Sequence, residues 1–421
     1  MRARMAAAGF ACMDAADAAA EPAFSPDVVV VNSCAVTAES ERKTRQKLRR
    51  CRVRYPRCIL VLTGCAAQIC PDAAHAYPEA DIVLGRSEID DLPLCLDKFL
   101  LSHSKSYSAS PLHPAESFAL SDGSSRENFS RTRAFLKIED GCDQFCSYCI
   151  IPHARGHVVS KPLAAIRQEL ASFISQGFQE IVLVGINLAA YGSDLGCDLC
   201  DAAALANEFS ALKRLRLGSL EPLFLEDSAL RRLSRVNALC PHFHVSLQSG
   251  CDSVLMQMNR PYSSSQYFQL VNRLRSLFPG CAITTDIIVG FPGESDADFE
   301  ESLAFVREIG FAKVHVFPFS PRSGTPAADF PEQISKAILR ARSTRMLSLA
   351  NELHCSFLRR QTGKTLEVLL EEPGTTGGML GYAPNYAHVL AADATPDDRN
   401  HIFPVFISDV NGKYCIGNIA H

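Results

Sequence analysis

Two short apolar runs near the start of the chain, "DVVVVNSC" at 27–34 and "CILVLTGC" at 58–65, each end in a cysteine. Brief apolar runs bounded by polar residues read as buried strands. The stretch between them, roughly 38–52, reads as helix, so the first hundred residues are expected to form strand–helix–strand units of an α/β layer. From Ser102 to Arg131 the pattern dissolves into a segment rich in Ser, expected to be a linker over 102–130. Six further apolar segments follow with helical stretches between them: "AFLKI", "EIVLVGIN", "RLRLGSLEP", "HFHVSLQSG", "AITTDIIVGFPGE" and "AKVHVFPFS". That alternation predicts a parallel, barrel-like sheet. Chemistry is then expected at the C-terminal strand ends, where "DGC", "GIN", "SLEP", "LQSG" and "GFPGE" fall. Ser160 ahead of Pro162, a stop at Gly177, and Ser295 paired with Asp298 are the helix-end signals. A long helix is expected over about 331–360, ending at Gly363. Beyond it "TLEVLLEE", "YAHVLAAD" and "IFPVFISDVNGKYCIGNIA" read as short strands, with Asn411-Gly412 as a type I′ turn. The expected fold is α/β: an N-terminal α/β domain (1–101), the linker (102–130), a central partial (β/α)6 barrel (131–360) and a small C-terminal β-barrel (361–421).

Composition narrows the function classes. A chain of 421 residues exceeds what one core usually organises. No run approaches the eighteen apolar residues of a membrane helix, and Asp14 and Asp17 interrupt the alanine-rich start, so a soluble, cytoplasmic protein is expected. Seventeen cysteines, an odd number without a secretion signal, argue against a disulfide scaffold. The net charge of −4 hides an uneven distribution, because Arg42 to Arg57 holds nine Lys or Arg and no Asp or Glu. Arg42, Lys43, Arg45, Lys47, Arg49 and Arg50 are the candidate phosphate contacts. Five such contacts would give a salt slope of about −4.5. The last sixty residues have the opposite balance, three Lys or Arg against seven Asp or Glu, which repels phosphate.

The segment "GCDQFCSYCI" spaces Cys142, Cys146 and Cys149 as C-x3-C-x2-C. Three thiolates suit either a zinc site closed by His153 or a 4Fe-4S cluster that keeps one iron open. With Tyr148 before the third cysteine, at the end of the first barrel strand, the motif resembles the radical S-adenosylmethionine (SAM) superfamily. That resemblance implies a 4Fe-4S cluster on the three cysteines, SAM on the open iron and a deoxyadenosyl radical. "EIVLVGINLAAYGSD", "RLRLGSLEP", "HVSLQSGCD", "TTDIIVGFPGE" and "HVFPFSPRSGTPA" together resemble the methylthiotransferases. By that resemblance Gly185, Asn187, Glu221, Gln248 and Asp286 line the cofactor or substrate pocket, beside Tyr148. It further implies a second 4Fe-4S cluster on three N-terminal cysteines. Cys34 and Cys65 are two of these, and the first, expected on a strand ahead of "AAAGFAC", is not found. A start placed too far downstream is the simplest reading, and lost sulfur transfer the other. Cys12 stands in the wrong context to replace it. Cys51, Cys58 and Cys70 read as packing, and the C-x2-C pair Cys197 and Cys200 as incidental. Lys161 stands where the family commonly has arginine, at an expected phosphate or carboxylate contact, and Ser33 where threonine is common.

The residues after Cys34, "AVTAESERKTRQKLRR", resemble the branch that acts on threonylcarbamoyl-adenosine in tRNA. The expected activity is insertion of sulfur and a methyl group at C2 of that nucleoside, using two SAM molecules and a reducing electron donor, without DNA or membrane partners. The alternatives are an isopentenyladenosine tRNA, a ribosomal-protein aspartate, or a non-enzymatic iron–sulfur protein that binds RNA or senses redox state. The C-terminal barrel resembles the TRAM module, with Tyr382 and Tyr386 as core aromatics or base-stacking groups.

Overall fold

The computed structural model describes residues 5–6, 8–13, 25–70, 72–86, 88–109, 132–375 and 377–420. Asp14, Asp17 and the linker beyond residue 109 lie outside them. The chain divides into two compact units: Met1–Arg126 with Gly141–His157 and Ser320–Ala328, and Glu127–Asp140 with Val158–Phe319 and Asp329–His421.

In the first unit β1 (Val28–Ser33), β2 (Ile59–Gly64), β3 (Ile82–Leu84) and β4 (Ser106–Ser108) lie side by side in chain order, all parallel. Every residue of β2 is buried because its faces pack on separate clusters. Leu60 and Leu62 meet Leu48 and Ala66, whereas Ile59 and Val61 meet Leu92 and Leu96. The helix Ala38–Arg54 starts where Thr37 Oγ1 accepts the Ser40 N–H at 3.1 Å. β4 falls inside the expected linker. Its Ser-Tyr-Ser sequence carries no apolar pattern, and pairing with β3 alone makes it a strand.

The second unit holds β5 (Ala134–Lys137), β6 (Glu139–Asp140), β7 (Val159–Ser160), β8 (Glu180–Val184), β9 (Arg214–Leu217), β10 (Ser219–Leu220), β11 (His242–Val245), β12 (Ala282–Val289) and β13 (Lys313–Pro318). β5–β8–β9 and β10–β11–β12–β13 form two parallel sheets, joined where Gly218 separates β9 from β10. All six expected strand segments are present. The capping box of Ser295 and Asp298 forms as expected. Ser160 does not cap: Pro162 takes that place without a side-chain bond, and Ser160 Oγ instead accepts the Gly192 N–H at 2.8 Å. The long helix runs Lys336–Arg359, its start set by Ser335.

β14 (Thr365–Pro373), β15 (Met379–Tyr382), β16 (His388–Ala391), β17 (Ile402–Val410) and β18 (Cys415–Ile419) close into a barrel. The sequence pattern misses β15, which sits between Gly378 and Pro384 and is only four residues long. The β17–β18 turn is not type I′. Val410 pairs with Cys415, and the Asn411 side chain caps the loop by accepting from Lys413 and Tyr414 N–H at 3.0 Å each.

This barrel is fastened to the N-terminal ends of the central strands by a buried ionic knot. Glu180, fully buried, accepts from Arg216 Nε at 2.8 Å and faces Arg214 Nη1 at 3.4 Å and Arg133 Nη1 at 4.0 Å. The arginines then donate into the barrel backbone, Arg214 to Tyr382 O and Glu367 O, Arg216 to Pro384 O. Arg133 lies over Tyr382 and Arg216 over Tyr386 at 5.0 and 4.5 Å, and Tyr386, Tyr382 and His388 stack in series. Both tyrosines are half-buried and serve this joint.

Candidate functional site

Cys34 and Cys65 directly follow register partners, Ser33 on β1 and Gly64 on β2, so the two thiols leave the sheet from equivalent positions of neighbouring parallel strands. Ser33 Oγ ties them, donating to Thr63 O at 2.6 Å and accepting from Ala67 N–H at 3.4 Å. Gly64 is required by its φ of +97° and because a Cβ would lie 2.4 Å from Ser33 O. Cys34 is exposed and Cys65 buried. Cys12 packs with Met5, Ile59 and Val61 on the face of the sheet opposite Leu60 and Cys65, and is not brought to that edge. Cys51 and Cys70 pack in the same apolar cluster as Cys65, and burial raises the Cys58 thiol pKa.

The three-cysteine segment belongs to this same unit. Gly141 has φ +90° and would drive a Cβ to 1.9 Å from His157 O, while Cys142 N–H donates to Gly156 O at 3.1 Å. These contacts pinch the loop's two ends together. Cys149 N–H donates to Cys146 O at 3.0 Å, and Phe145 is held at φ +44°. Cys146 is buried, while Cys142, Tyr148 and Cys149 are half-buried. The next helix, Ile151–Arg155, starts after Ile150, and Ile150 and Ala154 pack in one cluster with Cys65 and Ala66. His153 is exposed, its ring edge-on to Phe145 at 6.2 Å. Three thiols on one tightly closed loop fit a cluster that keeps one iron open. Two thiols at adjacent strand ends fit part of a second ligand set.

In the second unit the strand ends carry the expected residues, each with local partners. A Cβ on Gly185 would meet Glu139 Oε2 at 2.5 Å, so glycine is needed there to admit a carboxylate of the protein itself. Glu221 is ion-paired with buried Arg260, whose Nε donates to Tyr262 Oη at 3.0 Å. Gln248 is held at φ +70°, its N–H on Asp286 O and its C=O on Ile288 N–H, both at 2.9 Å. A non-glycine residue in that conformation is strained, and such strain concentrates at functional sites. Asn187 N–H donates to Glu139 Oε2 at 2.8 Å. Asp286 faces His244 Nε2 at 3.3 Å, and with His315 brings one ligand atom each within 4.8 Å. Thr284 Oγ1 orients His244 through Nδ1 at 3.0 Å. His244 and His315 escape a sequence reading that takes strands as apolar runs. Their signal is the alternation in "HFHVS" and "AKVHVF", which puts them on the Asp286 face in register.

Glu139 is the other residue missed. It is fully buried, Oε1 has no hydrogen-bond partner among the described residues, and burial, opposed by the Asn187 N–H, raises its pKa to about 7. A carboxyl raised in the folded state favours folding most below its unfolded value, and that contribution is lost as pH climbs through 4.5 to 7. Glu139→Gln should therefore be more stable than wild type by about 2–3 kcal/mol at pH 8 but not at pH 5, as read from urea midpoints. Equal midpoint differences at both pH values would refute the assignment.

The basic helix is less bare than its sequence. Arg42 and Lys43 pair with Glu39, Arg45 with Glu41 and Arg49 with Glu79, acids lying just before Arg42 or on a later segment. Arg52 is spent on Asp81. Lys47, Arg50 and Arg54, with Lys43, form an exposed stripe at helical spacing beside the face of buried Thr44, Leu48 and Cys51. Lys161 is buried against Glu169 at 2.6 Å, so it is not a surface contact. Cys200 is buried with a thiol raised to about 12 by burial, which suits packing. No described helix is long and apolar enough to cross a membrane. A cavity of about 490 Å³, lined by Gln179, Lys213, Arg214 and Glu367, lies at the N-terminal strand ends of the second unit.

A family model described as the radical SAM superfamily matches residues 136–306, and one described as uncharacterized protein family UPF0004 matches residues 1–85. The threonylcarbamoyladenosine tRNA methylthiotransferase MtaB of Thermotoga maritima is 38% identical over 365 residues, 85% of this chain and 81% of that protein. The Bacillus subtilis protein of that name is 33% identical, covering 86% and 82%. A tRNA-2-methylthio-N(6)-dimethylallyladenosine synthase of Pelotomaculum thermopropionicum is 32% identical, covering 94% and 90%. Among solved structures, the radical SAM methyltransferase TsrM of Kitasatospora setae matches with a TM-score of 0.51 at 16% identity, over 73% of this chain and 65% of that one, a likeness of fold. With these matches spanning most of its length, the chain belongs to the radical SAM methylthiotransferase family.

Proposed function

We propose that this chain replaces the C2 hydrogen of threonylcarbamoyladenosine in tRNA with a methylthio group. The observation that carries the reading is that the Cys142–Cys149 loop and the Cys34 and Cys65 strand ends belong to one packed body, through Ile150 and Ala154 against Cys65 and Ala66. A radical source and a sulfur source must be held in fixed relation if one substrate carbon is to meet both. Members of this family use a 4Fe-4S cluster with SAM and carry an auxiliary cluster. When bound, these groups supply the carbon radical, the methyl group and the sulfur. Cys142, Cys146 and Cys149 would hold the first cluster, and Cys34 and Cys65 part of the second. Tyr148 stands beside the third ligand, and Gly185, Asn187, Glu221, Gln248 and Asp286 set the strand ends that receive cofactor and substrate. Gly185 and Glu221 act through their neighbours, Glu139 and Arg260.

The threonylcarbamoyl substrate is supported by relatives of that name at 38% and 33% identity. The discriminating experiment offers the anaerobically reconstituted protein, SAM and a reductant two tRNAs, one with threonylcarbamoyladenosine and one with dimethylallyladenosine. Methylthiolation of the first alone is expected, and of the second alone would overturn the substrate assignment.

The exposed stripe of Lys47, Arg50 and Arg54 is the proposed tRNA grip, with Arg42, Lys43, Arg45 and Arg49 weakened by their acids. Three phosphates give a salt slope of about −3, shallower than the bare sequence suggests. Lys47→Ala with Arg50→Ala should reduce that slope by about 2, as measured by filter binding between 50 and 200 mM salt. An unchanged slope would place the grip elsewhere.

A further inference from the structure

The segment Ser320–Ala328 follows β13 in the chain yet belongs to the first unit. Its two ends touch two different cysteine-bearing segments. At its start, Ser320 Oγ accepts the N–H of Ala38 at 3.1 Å, a first-turn donor of the helix that follows Cys34. Two residues on, Arg322 Nη1 meets Glu41 Oε2 of the same helix turn at 3.0 Å, with Arg322 only 6% exposed. At its other end, Ala327 N–H donates to Ser147 O at 2.8 Å, between Cys146 and Cys149. The turn between these anchors is stiff. Thr325 returns both N–H and Oγ1 to Arg322 O at 3.0 and 2.8 Å, and Thr325 and Ala327 are buried. Gly324, at φ +88°, packs where a Cβ would stand 3.6 Å from Ile150.

We propose that Ser320–Ala328 is a strap that fixes the Cys142–Cys149 loop relative to the Cys34 segment, with Arg322 as its positioning residue. The function of the strap in coupling radical formation to sulfur transfer rests on the methylthiotransferase reading above. Its mechanical role does not. The chemistry of the anchor explains why arginine stands there. A guanidinium keeps its charge when buried, where a lysine ammonium readily gives up its proton, so the Nη1 contact to Glu41 persists with Arg322 out of water. Glu41 also holds Arg45, so the strap ends on a carboxylate already clamped to its own helix. This ion pair sets a register, and its loss leaves Glu41 to Arg45 alone and frees the strap's start.

The test compares Arg322→Gln, Arg322→Lys and Ser320→Ala with wild type in two assays. Hydrogen exchange on the reconstituted protein reads the strap directly. In Arg322→Gln the amides of Ala38 and Ala327 should exchange at least about 10-fold faster, while those of β14–β18 are unchanged. The second assay is the yield of methylthio nucleoside per deoxyadenosine released. It should fall about 10- to 100-fold while deoxyadenosine formation is largely kept, because a displacement of about 1 Å between reacting groups costs that much. Arg322→Lys should recover part of both. Unchanged exchange at Ala38 and Ala327 overturns the strap, and faster exchange with an unchanged yield ratio overturns its positioning role. If Arg322→Gln does not fold, Ser320→Ala must speed exchange at Ala38 and lower the ratio, and a silent Ser320→Ala overturns the proposal. Should wild type form no methylthio nucleoside at all, the functional reading fails, and the exchange result alone decides the strap.

Discussion

Replacing Cys142 with alanine should reduce deoxyadenosine formation from SAM to background, and the single variants Cys146→Ala and Cys149→Ala should be as inactive as the triple variant. Residues that act as one unit show this non-additivity, because removing any member removes the whole function. The loop's construction makes the effect specific. Gly141, Gly156 and the Cys142 and Cys149 backbone bonds shape it without the thiols, so the fold of the unit should survive each change. Iron per chain after anaerobic reconstitution, together with a deoxyadenosine assay, checks both halves. Retained activity in any one variant would remove that cysteine from the radical centre.

The second large effect is on stability. Glu180→Ala should cost about 3–5 kcal/mol, a large part of a typical folding free energy, because it takes the only carboxylate from buried Arg214 and Arg216, while Arg133 keeps Glu371 at 2.8 Å. Burial by itself would raise the Glu180 carboxyl, but Arg216, Arg214 and Arg133 outweigh that and hold it below its ordinary value. The stabilisation is therefore present above the unfolded carboxylate range and lost as pH falls through the lowered folded value. Glu180→Gln keeps the shape but not the charge and should fall between the two. Urea unfolding at neutral pH measures the loss, and a Glu180→Ala midpoint near wild type would mean that the barrel-backbone carbonyls alone hold the arginines.

How far the sequence foretold this structure depends on what kind of signal each part leaves. β1, β2 and the six later strand segments carry apolar residues at every position or at alternate ones, because each buries one face or both. β15 and β4 are short: β15 is held between its chain neighbours β14 and β16, and β4 by β3, more than twenty residues earlier. The basic helix shows the same limit: Glu79 pairs with Arg49 only because β2 and its following segment return beside the helix, a fact of topology. Within the candidate site, the cysteines announce themselves by spacing alone. Gly185 and Glu221 stand in the right motifs, but their immediate partners come from elsewhere in the chain, Glu139 from β6 and Arg260 from the loop after the helix Asp252–Gln257. Glu139 sits three residues before Cys142 and looks like an ordinary charged residue until its burial is seen. The strap Ser320–Ala328 left no signal as a partner of the cysteine loops, because "SPRSGTPA" shows what the segment contains and not which segments it touches.

The most direct measurement is mass spectrometry of nucleosides from threonylcarbamoyladenosine-bearing tRNA after anaerobic incubation with the reconstituted protein, SAM and a reductant. The expected result is a nucleoside heavier by a methylthio group in place of the C2 hydrogen, formed with deoxyadenosine and absent with Cys142→Ala. Abundant deoxyadenosine with every adenosine C2 still bearing hydrogen would contradict methylthio transfer to this nucleoside.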